Sequence, residues 1–279
     1  MLLPAPTTSW QSPIDETGPD HERGTMDFDR HCTEIVTQTE LLTTGLGAAD
    51  LRAPVPSCPG WSLGNLVRHI GGGHRWAGEV VRTRATGFLP DDQVRKLDGD
   101  DSGDMPVTWL VEGAAQLADI LRAAGPNARV WTPVDCGAAT FWARRFAHET
   151  LVHRADAALA AGTEFVVSEG VAHDAVDEWM ELDALPQHFD HKPQKRELLG
   201  PGRTLAFEAT DSGAAWFVDL TGDVIAWCRG RGQAAVTVRG SCADLLLVIY
   251  RRRAVNGNGI EIVGDEELLD FWLGHVGFA

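Results

Sequence analysis

The 279-residue chain is short of cysteine and of basic residues, and it has no long apolar run. Its five cysteines are odd in number and form no Cys-x-x-Cys pair, which favours a reduced, cytoplasmic protein over a disulfide-stabilised secreted one. Lysine and arginine total 24 against 40 acidic residues, and the formal charge of −16 argues against a nucleic-acid or anionic-membrane partner. No apolar stretch approaches the roughly 18 residues of a transmembrane helix, and the first ten residues lack the basic region of an export signal.

Hydrophobic periodicity divides the chain into three parts. Residues 1–25 have little periodicity and predict a disordered N-terminal tail, and Met26 after it is a second possible translation start. Apolar residues at helical spacing, in four helical runs and a fifth that leads out of the bundle, predict a helix-bundle domain over 26–185. Four short strand-like runs separated by glycine turns begin near residue 203 and predict a smaller α+β domain over 186–279, with 186–202 as a linker. The predicted fold class is therefore α+β.

The run from Phe141 to Asp156 contains the most informative pair of residues. Glu149 and His153 are four residues apart, so a helix places both side chains on one face, where they can provide two ligands of a divalent metal. Trp142, Phe146 and Ala157 belong to the same stripe, which should face a core. Because an ionised glutamate on a core face is costly without a partner, a metal site is favoured here.

Spacing alone is a weak signal, since Glu169 and His173 repeat it. Glu169, however, follows Ser168 at a predicted helix start, where a carboxylate interacts favourably with free N–H groups and the helix dipole. We therefore expect no metal at that second pair.

A third ligand is expected from another helix. Pro59 and Gly60 predict a turn, and Ser62 is a suitable N-cap for a helix that continues to about Ala85. His69 lies at the edge of the apolar face of this helix. His74, five residues later, points elsewhere and is expected at a pocket rim or in solvent.

Three blocks of the chain together resemble one known family. They are PSCPGWSLGNLVRHIGGGHRWA (56–77), FWARRFAHETLVHRADA (141–157) and VRGSCADLLLVIYRRRAVNGNGIEIVGDEELLDFWL (238–273). In this order they are similar to the mycothiol-dependent maleylpyruvate isomerase family, which belongs to the DinB-like metal-binding four-helix bundles. The resemblance covers residues from about 27 to the C-terminus. It implies an N-terminal DinB-like four-helix bundle with a metal site and a C-terminal family domain.

The resemblance also implies site residues and cofactors. The family's zinc ligands correspond to His69, Glu149 and His153, and its thiol cosubstrate is mycothiol. A basic residue of the family's second domain faces the cleft and handles an anionic substrate, which makes Arg252 the candidate catalytic residue. This chain departs from the family at Arg251, where glycine is usual.

The favoured function is a zinc- and mycothiol-dependent isomerase or S-transferase. Three protein ligands leave one zinc position open, as in catalytic sites, and soft thiols bind zinc as thiolates. The expected partners are a small electrophile and a low-molecular-weight thiol, with the protein a monomer or homodimer. Two alternatives stay open, namely a hydrolase that uses zinc-bound water and a non-catalytic metal- or ligand-binding regulatory protein.

Overall fold

The computed structural model describes residues 26–47, 49–94, 107–134, 137–257 and 259–276. The predicted disordered tail, residues 1–25, lies outside this range. So does Cys136, whereas the other four cysteines are free thiols. Within the described residues, no helix is both long and apolar enough to cross a membrane.

Four long helices form the N-terminal bundle, as the sequence predicts. Each of α1 and α2 packs against both α3 and α4. The start of α2 is stabilised by a reciprocal capping box, in which Ser62 and Asn65 each accept a hydrogen bond from the other's backbone N–H. The bounds of the four helices are α1 (Phe28–Leu46), α2 (Leu63–Arg82), α3 (Val107–Ala124) and α4 (Ala139–Ala161).

A glycine allows α2 and α3 to approach closely. A Cβ added to Gly71 would overlap the Trp109 ring, so only glycine fits at this position of α2. The guanidinium of Arg75 lies 3.8 Å from the centroid of the same ring. This packing holds α2 against α3 at Gly71, which lies two residues after His69.

The C-terminal part is built on a five-stranded sheet with the order β3-β2-β1-β4-β5. Strands β1 and β4 are parallel, and the other neighbouring pairs are antiparallel. The strands are β1 (Thr204–Ala209), β2 (Ala215–Asp219), β3 (Ala226–Arg229), β4 (Val236–Gly240) and β5 (Glu261–Gly264). The sequence predicts the first four; β5 is a four-residue edge strand that was not predicted.

The remaining helices surround this sheet. They are α5 (Glu169–Asp183), α6 (His188–His191), α7 (Cys242–Ile249) and α8 (Glu266–His275), with a 3₁₀ helix at Pro193–Leu198. The segment predicted as a linker therefore contains short helices. Buried Lys195 holds it in place by donating to Asp183 at 2.6 Å.

The apolar side chains of helix α5 pack with the sheet, while its polar side chains contact α1 and α4 of the bundle. Val176, Trp179 and Met180 of α5 share a buried cluster with Phe207 of β1 and Trp272 of α8. The sequence-based division assigns α5 to the bundle domain. Its packing leads us to propose that the C-terminal unit begins in the loop before α5.

Candidate metal centre

Helices α2 and α4 bring the three predicted metal ligands together. Glu149 Oε1 lies 3.4 Å from His69 Nε2 and 3.1 Å from His153 Nε2. The three donor atoms lie within 4.8 Å of one another. We call His69, Glu149 and His153 the open cluster, because their side chains are 44%, 33% and 11% exposed.

The exposed side of the open cluster has an aromatic neighbour. The ring of Trp61, in the turn before α2, lies with its centroid 4.9 Å from that of His69. It also stacks on His153 at 6.3 Å. An aromatic ring therefore lies against both histidines of the cluster.

The imidazole of His153 is oriented by a carboxylate behind it. His153 Nδ1 lies 2.8 Å from Oδ2 of the buried Asp156, which leaves Nε2 facing His69 and Glu149. Carboxylate–histidine pairs of this kind fix the tautomer of metal-binding histidines. Burial opposes ionisation, but hydrogen bonds with His153 and Arg252 hold the pKa of Asp156 well below its usual range.

These hydrogen bonds also affect His153 itself. Burial disfavours the charged imidazole, but hydrogen bonds with Asp156, Cys58 and Glu149 raise the pKa of His153 to about 11. In the metal-free protein this histidine is therefore protonated at neutral pH. A metal ion that binds there has to displace that proton.

The carboxylate of Glu149 is oriented by an arginine that sequence reasoning missed. Arg145 Nη2 donates to Glu149 Oε2 at 3.0 Å, so the other oxygen, Oε1, faces both imidazoles. Despite burial, hydrogen bonds with His153 and His69 and the charge of Arg145 hold the pKa of Glu149 well below its usual range. The four-residue spacing of Arg145 and Glu149 was the available signal.

Arg252 lies in the second layer of the site. Its Nε and Nη2 donate to the two oxygens of Asp156 at 2.9 and 3.1 Å, so it acts on His153 through that carboxylate.

The preceding residue, Arg251, adopts a φ of 60°, in the left-handed region that favours glycine, and the resembling family usually has glycine at this position. The N–H of Arg252 donates to Leu247 O, so these two residues end α7 in a Schellman-type turn.

A second group of possible metal-binding atoms lies where α1, α4 and α5 meet. His31 Nε2 and His148 Nε2 lie 2.6 and 3.1 Å from the same oxygen, Oδ2 of Asp174. Arg144 Nε donates to that oxygen at 3.3 Å. We call His31, His148 and Asp174 the closed cluster, because all three are buried. The sequence analysis did not identify it, since its members come from α1, α4 and α5.

The remaining candidate histidines lie outside the open cluster. Ser168 is the N-cap residue of α5, at the predicted helix start, and His173 Nε2 lies 2.8 Å from Ser212 Oγ. The expectation for His74 was wrong, because this side chain is fully buried. Its position on α2 faces α4, where its Nε2 lies 2.9 Å from Thr150 Oγ1.

Comparisons with known proteins agree with this architecture. The model of the mycothiol maleylpyruvate isomerase N-terminal domain matches residues 32–158, and that of the MDMPI C-terminal domain matches residues 170–271. The crystal structure of the mycothiol-dependent maleylpyruvate isomerase is similar, with a TM-score of 0.54 and 14% identity over 85% of this chain and 93% of that chain. The crystal structure of a histidine-to-alanine mutant of that enzyme has a TM-score of 0.53 and 13% sequence identity, over the same shares of the two chains. At this identity the likeness shows the fold. No curated protein matches the chain.

Proposed function

Because the two family models together match most of its length, the chain belongs to the mycothiol maleylpyruvate isomerase family, and we propose that it is a zinc-dependent enzyme that uses mycothiol. The observation that carries this proposal is the open cluster. Two imidazole nitrogens and one carboxylate oxygen from two helices face one point that is accessible from solvent.

The donor set fits zinc. Two histidines and one glutamate form a common ligand set of catalytic zinc sites, in which a fourth position is left for water or substrate. His69, Glu149 and His153 would hold the ion. When bound, zinc would lower the pKa of the mycothiol thiol so that it reacts as a thiolate.

The surrounding residues support that role. Asp156 keeps the proton of His153 on Nδ1, and Arg145 keeps one oxygen of Glu149 turned away from the ligand side. Arg252 uses Nε, Nη1 and Nη2 in hydrogen bonds with Asp156 and with Tyr250 O. A guanidinium has five N–H groups, so two remain for an anionic substrate. We therefore assign substrate binding to Arg252.

The reaction that we propose is thiol addition to a conjugated electrophile. When a thiolate adds to a carbon–carbon double bond, the former double bond becomes single and can rotate. Elimination of the thiolate then yields the cis–trans isomer, whereas protonation without elimination yields an S-conjugate. We also propose a cytoplasmic location, which the four free cysteines of the described residues support.

Cobalt substitution tests the proposed function. We expect mycothiol to give a sulfur-to-cobalt charge-transfer band, and a thiol without the sugar part to give a smaller one. Turnover of a conjugated electrophile should require added thiol. Turnover that persists without thiol would instead identify a hydrolase, and the absence of both band and turnover would favour a binding protein. His69→Ala is the control that should abolish the band.

A further inference from the structure

We propose that Arg145 is a positioning residue that presents Glu149 to the metal through a single oxygen, and that the C-terminal unit holds Arg145 in place. This inference rests on the proposed metal site. It assigns a role in metal binding to Glu178 and Tyr250 of the C-terminal unit.

The first step is the contact between Arg145 and Glu149. Arg145 Nη2 donates to Oε2 at 3.0 Å, while Oε1 is the oxygen near both imidazoles. A carboxylate whose second oxygen accepts this hydrogen bond from a guanidinium is oriented to present its first oxygen to an ion. Without the guanidinium, Glu149 is free to rotate and to bind through both oxygens or to turn into solvent.

The second step is the contact between Arg145 and the C-terminal unit. Arg145 Nη1 donates to Oε2 of the buried Glu178 of α5 at 2.6 Å. The guanidinium also interacts electrostatically with the buried hydroxyl of Tyr250, at the end of α7. Glu178 is itself fixed, because His148 Nδ1 lies 3.0 Å from the same oxygen.

The third step is that both proposed metal ligands on α4 are supported by the C-terminal unit. Glu178 and Tyr250 act on Glu149 through Arg145, and Arg252 acts on His153 through Asp156. Each ligand from α4 is thus braced by a side chain from the C-terminal unit. Partners of this kind typically change metal affinity by about 10- to 100-fold when they are removed. Zinc affinity should therefore depend on residues of the C-terminal unit.

Chelator competition measures this dependence. We expect Arg145→Met and Glu178→Gln to weaken zinc binding by about 10- to 100-fold, and Arg145→Lys to recover part of the loss. The visible spectrum of the cobalt form should change in the first two variants, because Glu149 is no longer held to one oxygen. Tyr250→Phe, which removes a single hydroxyl, should show a smaller change of the same kind and keeps the test valid if Arg145→Met does not fold.

Arg144 provides the matched control. It is the neighbouring arginine, but it contacts Asp174 and Glu181 instead of Glu149. Arg144→Met should lower the free energy of unfolding and leave zinc affinity and the cobalt spectrum unchanged. If it changes them as much as Arg145→Met does, the role assigned to Arg145 is wrong.

The chain contains a natural probe of the contacts that connect Tyr250 to Glu149 through Arg145. Tyr250 is its only tyrosine, so protein labelled with 3-fluorotyrosine gives one ¹⁹F resonance. We expect zinc to shift that resonance in the wild-type protein and much less in Arg145→Met at saturating zinc. Stoichiometric zinc in the wild type, with unchanged affinity and cobalt spectrum in Arg145→Met, would overturn the positioning role alone. Failure of the wild type to bind zinc would overturn the metal site and with it this inference.

Discussion

The open and closed clusters on α4 contain the same kinds of donor atom in different settings. Each has two imidazole nitrogens close to one carboxylate oxygen. In the open cluster, Arg145 binds the glutamate oxygen that faces away from the imidazoles. In the closed cluster, Arg144 contacts the same Asp174 oxygen that both imidazoles share.

This difference shows that ligand types alone do not define a metal site. An ion at the closed cluster would meet a guanidinium among buried side chains, whereas the open cluster has an accessible side and a shared carboxylate oxygen that Arg145 does not contact. We therefore interpret the closed cluster as an ion-pair network that fastens α1, α4 and α5 to one another.

The largest expected effect is on zinc stoichiometry. We expect about one zinc per chain in the wild type and none in His69→Ala, Glu149→Ala or His153→Ala, because each substitution removes one of three ligands. His31→Asn and His173→Ala should retain the zinc. Elemental analysis after gel filtration gives the numbers. Two zinc ions per chain, with one lost in His31→Asn, would show that both clusters bind metal.

The next effect concerns stability without metal. Asp174→Asn should lower the free energy of unfolding by about 3–5 kcal/mol, because it leaves buried cationic partners without their counter-charge. In the presence of a chelator, His69→Ala should cost less than about 1 kcal/mol, since this histidine is largely exposed. Urea denaturation of both variants measures the difference. Equal losses would contradict the distinction between the two clusters.

The smallest effect is the pH dependence caused by His74. Burial, assisted by the charge of Arg75, lowers the pKa of this histidine to about 3. The unfolded chain takes up a proton at His74 near pH 6.5, whereas the folded chain does not. The contribution of the neutral imidazole to the free energy of unfolding is therefore fully present above pH 6.5 and is lost as the pH falls towards 3.

His74→Gln should make the fall in unfolding free energy shallower by about 1.4 kcal/mol per pH unit between pH 6 and 4. Urea titrations at several pH values measure this slope. His191→Gln, at an exposed position, should keep the wild-type slope. An unchanged slope in His74→Gln would mean that the buried imidazole is protonated in the folded state.

Local signals in the sequence predicted most of the fold. Helical periodicity, the cap at Ser62 and the turn glycines located α1–α5 and four strands. Strand β5 was missed because only two of its four residues, Ile262 and Val263, are apolar, which is too short a run to indicate a strand. His74 was misplaced because its environment depends on how α4 packs, which α2 alone does not encode.

The candidate site also has one part that the sequence predicts and one part that it does not. Glu149 and His153 share one helix face, so their proximity follows from spacing, and the family resemblance supplied His69. The bracing residues could not be found by spacing. Glu178 lies 33 positions after Arg145, and Arg252 lies 96 positions after Asp156. Only the tertiary structure, which places α5 and the turn after α7 beside α4, brings these partners together.

The left-handed turn at Arg251 has a consequence for how such sites diversify. The turn determines the direction in which Arg252 leaves the end of α7, and no residue of the open cluster takes part in it. Inserting or deleting one residue there would swing the guanidinium away from Asp156. Helix spacing places Glu149 beside His153, whereas the length of one surface turn sets both the brace on Asp156 and the charge that we propose for substrate binding.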